Sequence, residues 1–150
     1  MSNIKLNKIF KTACIASDHA GYKLKEDIKN YLIDKKMSVF DIGPYNDNSV
    51  DYPDYAKKLG NRIKLKKSDV GILVCGSGTG MAISANKIKS IRAAVCYNTM
   101  STRLSRQHNN ANIIALGSRL TKKNLSLKLV EIFLKTKFDG GRHLKRIRKI

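Results

Sequence analysis

A short apolar run that leads directly into a row of glycines constrains the fold of this chain more than any other stretch. Residues 70–75 (VGILVC) are apolar and partly β-branched, which is typical of a strand buried in a parallel sheet. Residues 76–80 (GSGTG) then predict a tight turn. Residues 81–85 place three apolar side chains on one face of a helix. The stretch therefore predicts a strand, a glycine loop and a helix in direct succession.

This succession places Cys75 at the carboxyl end of a strand and directs the backbone N–H groups of residues 76–80 into a crevice. A thiol beside a row of amide donors is suited to removing a proton and stabilising the resulting oxyanion. Cys75 is also compatible with a small core residue, and glycine loops often serve packing alone. The loop matches neither a Walker A motif nor the spacing of a dinucleotide-binding loop, so neither ATP nor NAD is favoured.

The chain length of 150 residues and the 42% of hydrophobic residues indicate one domain with a real core. The three cysteines are odd in number and lie in or beside apolar runs, which suits a reducing compartment. No stretch is typical of a signal peptide or a membrane span, and residues 1–8 are expected to be a frayed start. We therefore expect a cytoplasmic protein that does not bind membranes.

The net charge of +19, from 30 Lys and Arg against 11 Asp and Glu, would suit a polyanionic partner. Its distribution disfavours nucleic acid, because most lysines fall on helix faces expected to be solvated: Lys23, Lys25, Lys29, Lys35 and Lys36. The basic segment 142–149 is the exception. RNA binding stays open as an alternative.

Strands alternate with helical segments along the whole chain. The predicted strands are residues 12–16, 38–42, 70–75, 92–97 and 112–116. The predicted helices are residues 22–36, a helix that begins near Pro53, the helix after the glycine loop, residues 99–106, a long helix through Leu129 and Phe133, and a basic tail with Leu144, Ile147 and Ile150 at helical spacing. The pattern predicts an α/β fold, a three-layer Rossmann-like sandwich on a five-stranded parallel sheet with a C-terminal basic helical tail.

Parallel sheets bind ligands beyond the carboxyl ends of their strands. Asp18 and His19, Asp51 and Tyr52, residues 75–80, and Arg119 all follow predicted strands, so they should lie at one edge of the sheet. His108 and Asn109 precede the last strand and fall at the opposite edge. Either their loop doubles back, or they serve the site of a neighbouring subunit.

A thiolate base, an oxyanion loop and a histidine fit proton transfer between carbons next to a carbonyl, through an enediolate. Arg119, Arg142 and Arg146, with His143, can hold a phosphate, which makes a small sugar phosphate the natural substrate. A thiol hydrolase that pairs Cys75 with His108 remains open. No cluster has zinc-ligand spacing, so no metal is expected. Taken singly, His19 could also cap the first helix, and His108 could be an ordinary histidine in a polar loop.

Several motifs in register resemble those of one known family, the ribose-5-phosphate isomerases of the B type. The motifs are Ser17-Asp-His-Ala-Gly21, Asp51-Tyr-Pro53, Cys75-Gly-Ser-Gly-Thr-Gly80, Ser84-Ala-Asn-Lys87, Ser105-Arg-Gln-His-Asn109, Leu116-Gly-Ser-Arg119 and Gly140-Gly-Arg-His143 with Arg146. The resemblance covers residues 12–148 and implies a Rossmann-like homodimer, or a dimer of dimers, that interconverts ribose 5-phosphate and ribulose 5-phosphate without metal or cofactor.

The resemblance also implies a role for each matching residue. Cys75 matches the base that moves the proton from C2 to C1, and His108 matches the acid that opens the furanose ring, with Asp18 assisting. The matching substrate contacts are His19, Tyr52, the loop residues Gly76, Ser77, Gly78, Thr79 and Gly80, then Asn109, Arg119, Arg142 and Arg146, with His143 nearby and the Ser77 hydroxyl near the substrate oxygens. In that family the site forms between two subunits, and residues 141–150 would contribute to the dimer and the phosphate site.

Two features depart from the family pattern. Asn110 stands where an aspartate is expected, and the helix after the loop offers no glutamate as an alternative base, which leaves Cys75 as the candidate. A six-carbon sugar phosphate, such as allose or galactose 6-phosphate, is the alternative substrate. A non-catalytic module that binds phosphosugar or RNA is the alternative class.

Overall fold

Five parallel strands form one sheet at the centre of the computed structural model, which describes residues 9–150. Residues 1–8, which the sequence predicts to be a frayed start, lie outside the described residues. The strands are β1 (Thr12–Ser17), β2 (Ser38–Gly43), β3 (Val70–Cys75), β4 (Ala93–Val95) and β5 (Ile113–Gly117), in the order β2-β1-β3-β5-β4. The order reverses between β1 and β3, so a ligand-binding crevice is expected beyond the carboxyl ends of these two strands.

Helices cover both faces of the sheet, because the central strands are apolar on both sides. The helices are α1 (Tyr22–Asp34), α2 (Tyr52–Lys64), α3 (Thr79–Asn86), α4 (Thr99–Gln107), α5 (Lys123–Lys135) and α6 (Arg142–Ile147). Side chains of α1 and α5 bury Ile15, Ile72 and Ile114, whereas α2 and α3 bury the alternate positions of the same strands. This confirms the predicted three-layer α/β sandwich with a basic C-terminal helix.

Most predicted elements agree with the structure to within one or two residues, and β4 is the main difference. The prediction ran over residues 92–97, but only Ala93–Val95 form the strand, at the sheet edge opposite β2. All three residues are partly exposed. In the C-terminal tail, α6 ends at Ile147 and the side chain of Ile150 is 83% exposed, so the predicted apolar stripe is not buried.

Lys25 corrects the sequence-based expectation that the lysines of α1 are solvated. Its side chain is completely buried, and Nζ lies 2.8 Å from both carboxylate oxygens of Asp41 and 2.8 Å from Glu26. Lys29 contacts the same two acids. Burial acts to raise the pKa of Asp41, but hydrogen bonds from Lys25, Lys29 and the Gly43 N–H leave it below its usual value. Helical periodicity did not reveal the network, because its acid Asp41 lies on β2.

None of the helices within residues 9–150 is long and apolar enough to cross a membrane.

Candidate active site at two edges of the sheet

The loop between β3 and α3 holds the Cys75 thiol against a backbone donor. Cys75 is 5% exposed at the end of β3, and the N–H of Gly78 donates to its Sγ at 3.0 Å. Gly78 has a φ of 80°, which a glycine adopts without strain, and this conformation turns the chain into α3. The N–H of Thr79 is held by the Ser77 hydroxyl at 3.3 Å. The predicted strand, loop and helix are confirmed, and the thiol at the strand end accepts a hydrogen bond from the Gly78 N–H.

Asp18 lies directly beside this loop, because β1 pairs with β3. The Asp18 N–H donates to the Val74 carbonyl at 3.1 Å, and its carboxylate accepts from the Gly21 N–H at 2.9 Å. A Cβ on Gly21 would lie 2.2 Å from the Val74 oxygen, so only glycine lets α1 start this close to β3. The carboxylate of Asp18, a mostly buried residue, thus closes the turn into α1.

Arg119 and Tyr52 complete the same edge. The Arg119 N–H donates to the Gly76 carbonyl, and its guanidinium lies 3.2 Å from where a Gly76 Cβ would be. The Tyr52 ring lies 2.8 Å from the equivalent point on Gly80. His19 accepts a hydrogen bond from the Val50 N–H at Nδ1, which fixes the chain just before Tyr52. The structure therefore brings these predicted residues together around the glycine loop.

A second group of predicted residues lies at the opposite edge, around the ring of His108. His108 ends α4 and stacks on His143, with ring centroids 4.3 Å apart and planes 9° apart. Partial desolvation, the neighbouring imidazole of His108 and the charges of Arg142 and Arg146 lower the pKa of His143. Asn109 is exposed next to the stack. The sequence predicted these residues individually, but not the stack.

Arg142 and Arg146 lie on one exposed face of α6, the helix that carries His143. Together with Lys145 and Lys149 they line a shallow groove. All four side chains are exposed and carry positive charge, and the pair Arg142 and Arg146 is spaced one helical turn apart. Such a groove is suited to a phosphate group, since guanidinium groups bind phosphate through two parallel hydrogen bonds.

Asp139 joins the two stacked histidines in a cluster that sequence spacing did not reveal. The ligand atoms of His108, Asp139 and His143 all lie within 4.8 Å of one another. Two imidazoles and a carboxylate are ligands that zinc accepts. The lone pairs of two stacked rings lie in nearly parallel planes, however, and therefore do not converge on one point. The residues fit a metal poorly in this arrangement, and Arg142 and Arg146 add unfavourable charge.

Within one chain the two groups of residues are separated by the sheet itself. Cys75 pairs with Gly117 at the end of β5, whereas His108 precedes the start of that strand. The five residues of β5 span roughly 13 Å at about 3.3 Å per residue. The loop after α4 does not double back, so a single chain holds the thiol and His108 in two half-sites.

The fold defines a class of protein: α/β proteins that bind their ligands where the order of a parallel sheet reverses. Comparison of the sequence with known protein families narrows that class. The model of the Ribose/Galactose Isomerase family matches residues 13–150, and the chain belongs to this family.

Similar proteins support the assignment across nearly the whole chain. A ribose 5-phosphate isomerase from Thermotoga maritima shares 53% identity and a TM-score of 0.91, covering 92% of this chain and 95% of its own. A ribose-5-phosphate isomerase B from Mycoplasma genitalium, solved with bound ribulose 5-phosphate, shares 43% identity and a TM-score of 0.87, covering 92% of each chain. A putative sugar phosphate isomerase from Rickettsia bellii is 48% identical over 91% of this chain and 94% of its own.

Proposed function

We propose that this protein interconverts ribose 5-phosphate and ribulose 5-phosphate through an enediolate. The observation that carries the proposal is the Cys75 thiol at the end of β3, which accepts a hydrogen bond from the Gly78 N–H within a loop of further amides. The relatives named ribose-5-phosphate isomerase, one of them with ribulose 5-phosphate bound, support the substrate class. The half-site supplies a base and amide donors, which proton transfer next to a carbonyl requires.

In the proposed reaction the Cys75 thiolate removes the C2 proton of the open-chain aldose. The electrons of that C–H bond form the C1–C2 double bond, and the aldehyde oxygen takes the negative charge. Amide donors of residues 76–80 stabilise this oxyanion, and Ser77 and Asp18 contact the substrate oxygens. The Cys75 thiol then returns its proton to C1, and the O2 proton passes to O1, which leaves a hydroxyl at C1 and a carbonyl at C2 and completes the ketose.

We further propose that the second half-site comes from a partner subunit in a homodimer. His108 would open the furanose ring, with Asp18 assisting, and Asn109, Arg142 and Arg146 would bind the substrate and its phosphate. His19, Tyr52 and Arg119 would contact the substrate from the subunit that supplies Cys75. Support comes from the position of the two half-sites at opposite edges of one sheet, which a pair of subunits can bring together. The exposed α6 would then contribute to both the dimer and the phosphate site.

A six-carbon sugar phosphate is the second candidate, because the matched family model covers both ribose and galactose isomerases. The same base and loop would serve either substrate. The length of the crevice between the Cys75 loop and the arginines of the partner subunit would decide between them.

The test is an NMR assay in deuterated water without added metal, with ribose 5-phosphate and allose 6-phosphate offered separately. Ketose that carries solvent deuterium, formed from the five-carbon sugar, is the expected result. Conversion that favours allose 6-phosphate would keep the chemistry and change the substrate. Conversion of neither sugar would contradict the proposed activity.

Substitution separates proton transfer from ring opening in the same assay. Ribulose 5-phosphate has no furanose ring to open at its carbonyl, so deuterium exchange at its C1 tests the base alone. Cys75→Ala should lose both this exchange and the conversion of ribose 5-phosphate. His108→Ala should keep exchange at C1 and lose about 100-fold or more in the conversion of ribose 5-phosphate, which is typical for a general acid. Equal losses of both in His108→Ala would argue against the ring-opening role.

A further inference from the structure

The turn that carries His108 and Asn109 is held by a buried arginine on α4. Arg106 is 4% exposed, and its Nη1 donates to the Ala111 carbonyl at 2.5 Å and to the Asn110 side chain at 2.9 Å. Its guanidinium packs 4.9 Å from the ring centroid of Phe10. Both hydrogen bonds fix the chain immediately after His108 and Asn109.

The same arginine reaches the segment that leads to α6. Its Nε donates to the Thr136 carbonyl at the end of α5, at 3.2 Å, and its guanidinium lies 5.6 Å from the Phe133 ring centroid. A second link runs beside it, because the Asp139 N–H donates to the Gln107 carbonyl at 3.0 Å. Arg106 thus joins the turn after α4 to the chain that carries His143.

Among residues 9–150 no acid forms an ion pair with Arg106, which distinguishes it from a structural ion pair. Its hydrogen-bond acceptors are two backbone carbonyls and the side-chain oxygen of Asn110. The planar guanidinium can serve all three acceptors in fixed directions, which a lysine ammonium cannot do in the same way. The arrangement defines the relative position of two segments, and the two rings that stack, His108 and His143, come one from each segment.

We propose that Arg106 is a positioning residue for the isomerase reaction, and that it fixes His108 against His143 by joining the turn at residues 110–111 to Thr136. Without it, the turn at residues 110–111 loses its side-chain connection to Thr136, although the hydrogen bond between Asp139 and Gln107 remains. His108 would then lose its fixed direction toward the substrate ring oxygen. The proposal rests on the proposed function for its kinetic consequence, but its structural consequence can be measured independently of any activity.

The structural test uses the imidazole signals in an NMR spectrum. The chain has three histidines, so single substitutions of His19 and His143 assign all signals. Stacked rings shift each other's proton resonances, so the wild-type His108 and His143 signals should be displaced from that of His19. Arg106→Gln should remove this displacement. Arg103→Gln, an exposed arginine on the same helix, should leave it unchanged.

The kinetic test asks whether Arg106 acts through His108. Arg106→Gln should lower conversion of ribose 5-phosphate about 10- to 100-fold while C1 exchange of ribulose 5-phosphate persists, since small misplacement of a catalytic group has effects of this size. On a His108→Ala background the same substitution should add little. Arg106→Lys, which keeps the charge but not the planar fork, should show the same pattern more weakly.

Defined results would overturn the proposal. If Arg106→Gln is too unstable to study, Arg106→Lys with wild-type histidine signals would contradict it. An equal fall in conversion and exchange, with the ring stack intact, would show a general structural role instead. A wild-type protein that converts no sugar phosphate would refute the proposed function, whereas the histidine signals would still decide the role of Arg106.

Discussion

Asn110 lies between the guanidinium groups of Arg92 and Arg106. Within residues 9–150, neither arginine forms an ion pair with an acid. It adopts a φ of 45°, its Oδ1 accepts from Arg106, and its carbonyl accepts from Arg92. Burial, and then the charge of Arg92, lowers the pKa of Arg106 to about 10. A negative charge placed at Asn110 should therefore have a large effect on the stability of the turn.

Asn110→Asp should stabilise the fold by about 1 kcal/mol, because a carboxylate would add the attraction of opposite charges to the hydrogen bond that Asn110 already accepts from the Arg106 guanidinium. Aspartate tolerates the left-handed conformation nearly as well as asparagine. Chemical denaturation at neutral pH measures the change, with Asn109→Asp, an exposed neighbour, as the control. A loss of stability in Asn110→Asp would show that the amide N–H₂ of this residue has an essential partner.

For single residues, the sequence predicted those positions that depend on neighbours in the chain. The thiol, the glycines and Arg119 could be placed because each follows directly on a strand whose end is visible in the apolar pattern. The stack of His108 on His143 and the reach of Arg106 to Thr136 could not be predicted. They depend on how α4, α5 and α6 pack, and periodicity says nothing about such contacts between distant segments.

Among the secondary-structure elements, α1 and β2 are joined by charge as well as by apolar packing. The buried Lys25 donates to Asp41 and Glu26, and the rings of Tyr22 and Tyr45 lie 5.4 and 5.8 Å from its Nζ. The pattern of α1 was predicted well because its apolar face is regular. The buried lysine was assigned to a solvated helix face, because its partner Asp41 lies on β2 and helical spacing does not reveal it.

Lys25→Met should destabilise the protein by roughly 2 kcal/mol at neutral pH, which is less than is usual for a broken buried pair, because Lys29 still contacts both acids. Lys23→Met, an exposed lysine of the same helix, is the matched control. Thermal or urea unfolding of the three proteins measures the difference. A loss equal to that of the control would show that Lys25 contributes little net stability.

The pH dependence gives a second readout of the same pair. The pKa of Asp41 in the folded protein lies below its unfolded value, so its stabilising contribution is present above the unfolded pKa. That contribution is lost as the pH falls through the folded pKa. The stability difference between wild type and Lys25→Met should therefore shrink as the pH is lowered below about 4. A difference that stays constant into acid would exclude Asp41 as the source.

For the whole molecule, the two half-sites predict that inactive variants can restore each other. In a dimer of Cys75→Ala with His108→Ala, one of the two shared sites would combine an intact Cys75 with an intact His108. Random pairing of equal amounts makes half of the dimers mixed, so about a quarter of the wild-type activity should return. Refolding the two variants together and measuring ketose formation tests this. Activity that stays absent, despite proven mixed dimers, would contradict a site shared between subunits.

The three thiols have unequal surroundings, and this bears on oxidative damage. Burial raises the pKa of Cys14 to about 12 and also raises that of Cys96, so both resist conversion to the reactive thiolate. Cys75 differs from both in position, because it ends β3 and its Sγ accepts a hydrogen bond from the Gly78 N–H. We expect peroxide or an electrophile to react first at Cys75, which is the proposed base. Oxidative stress would then remove the proposed activity before the fold itself was harmed.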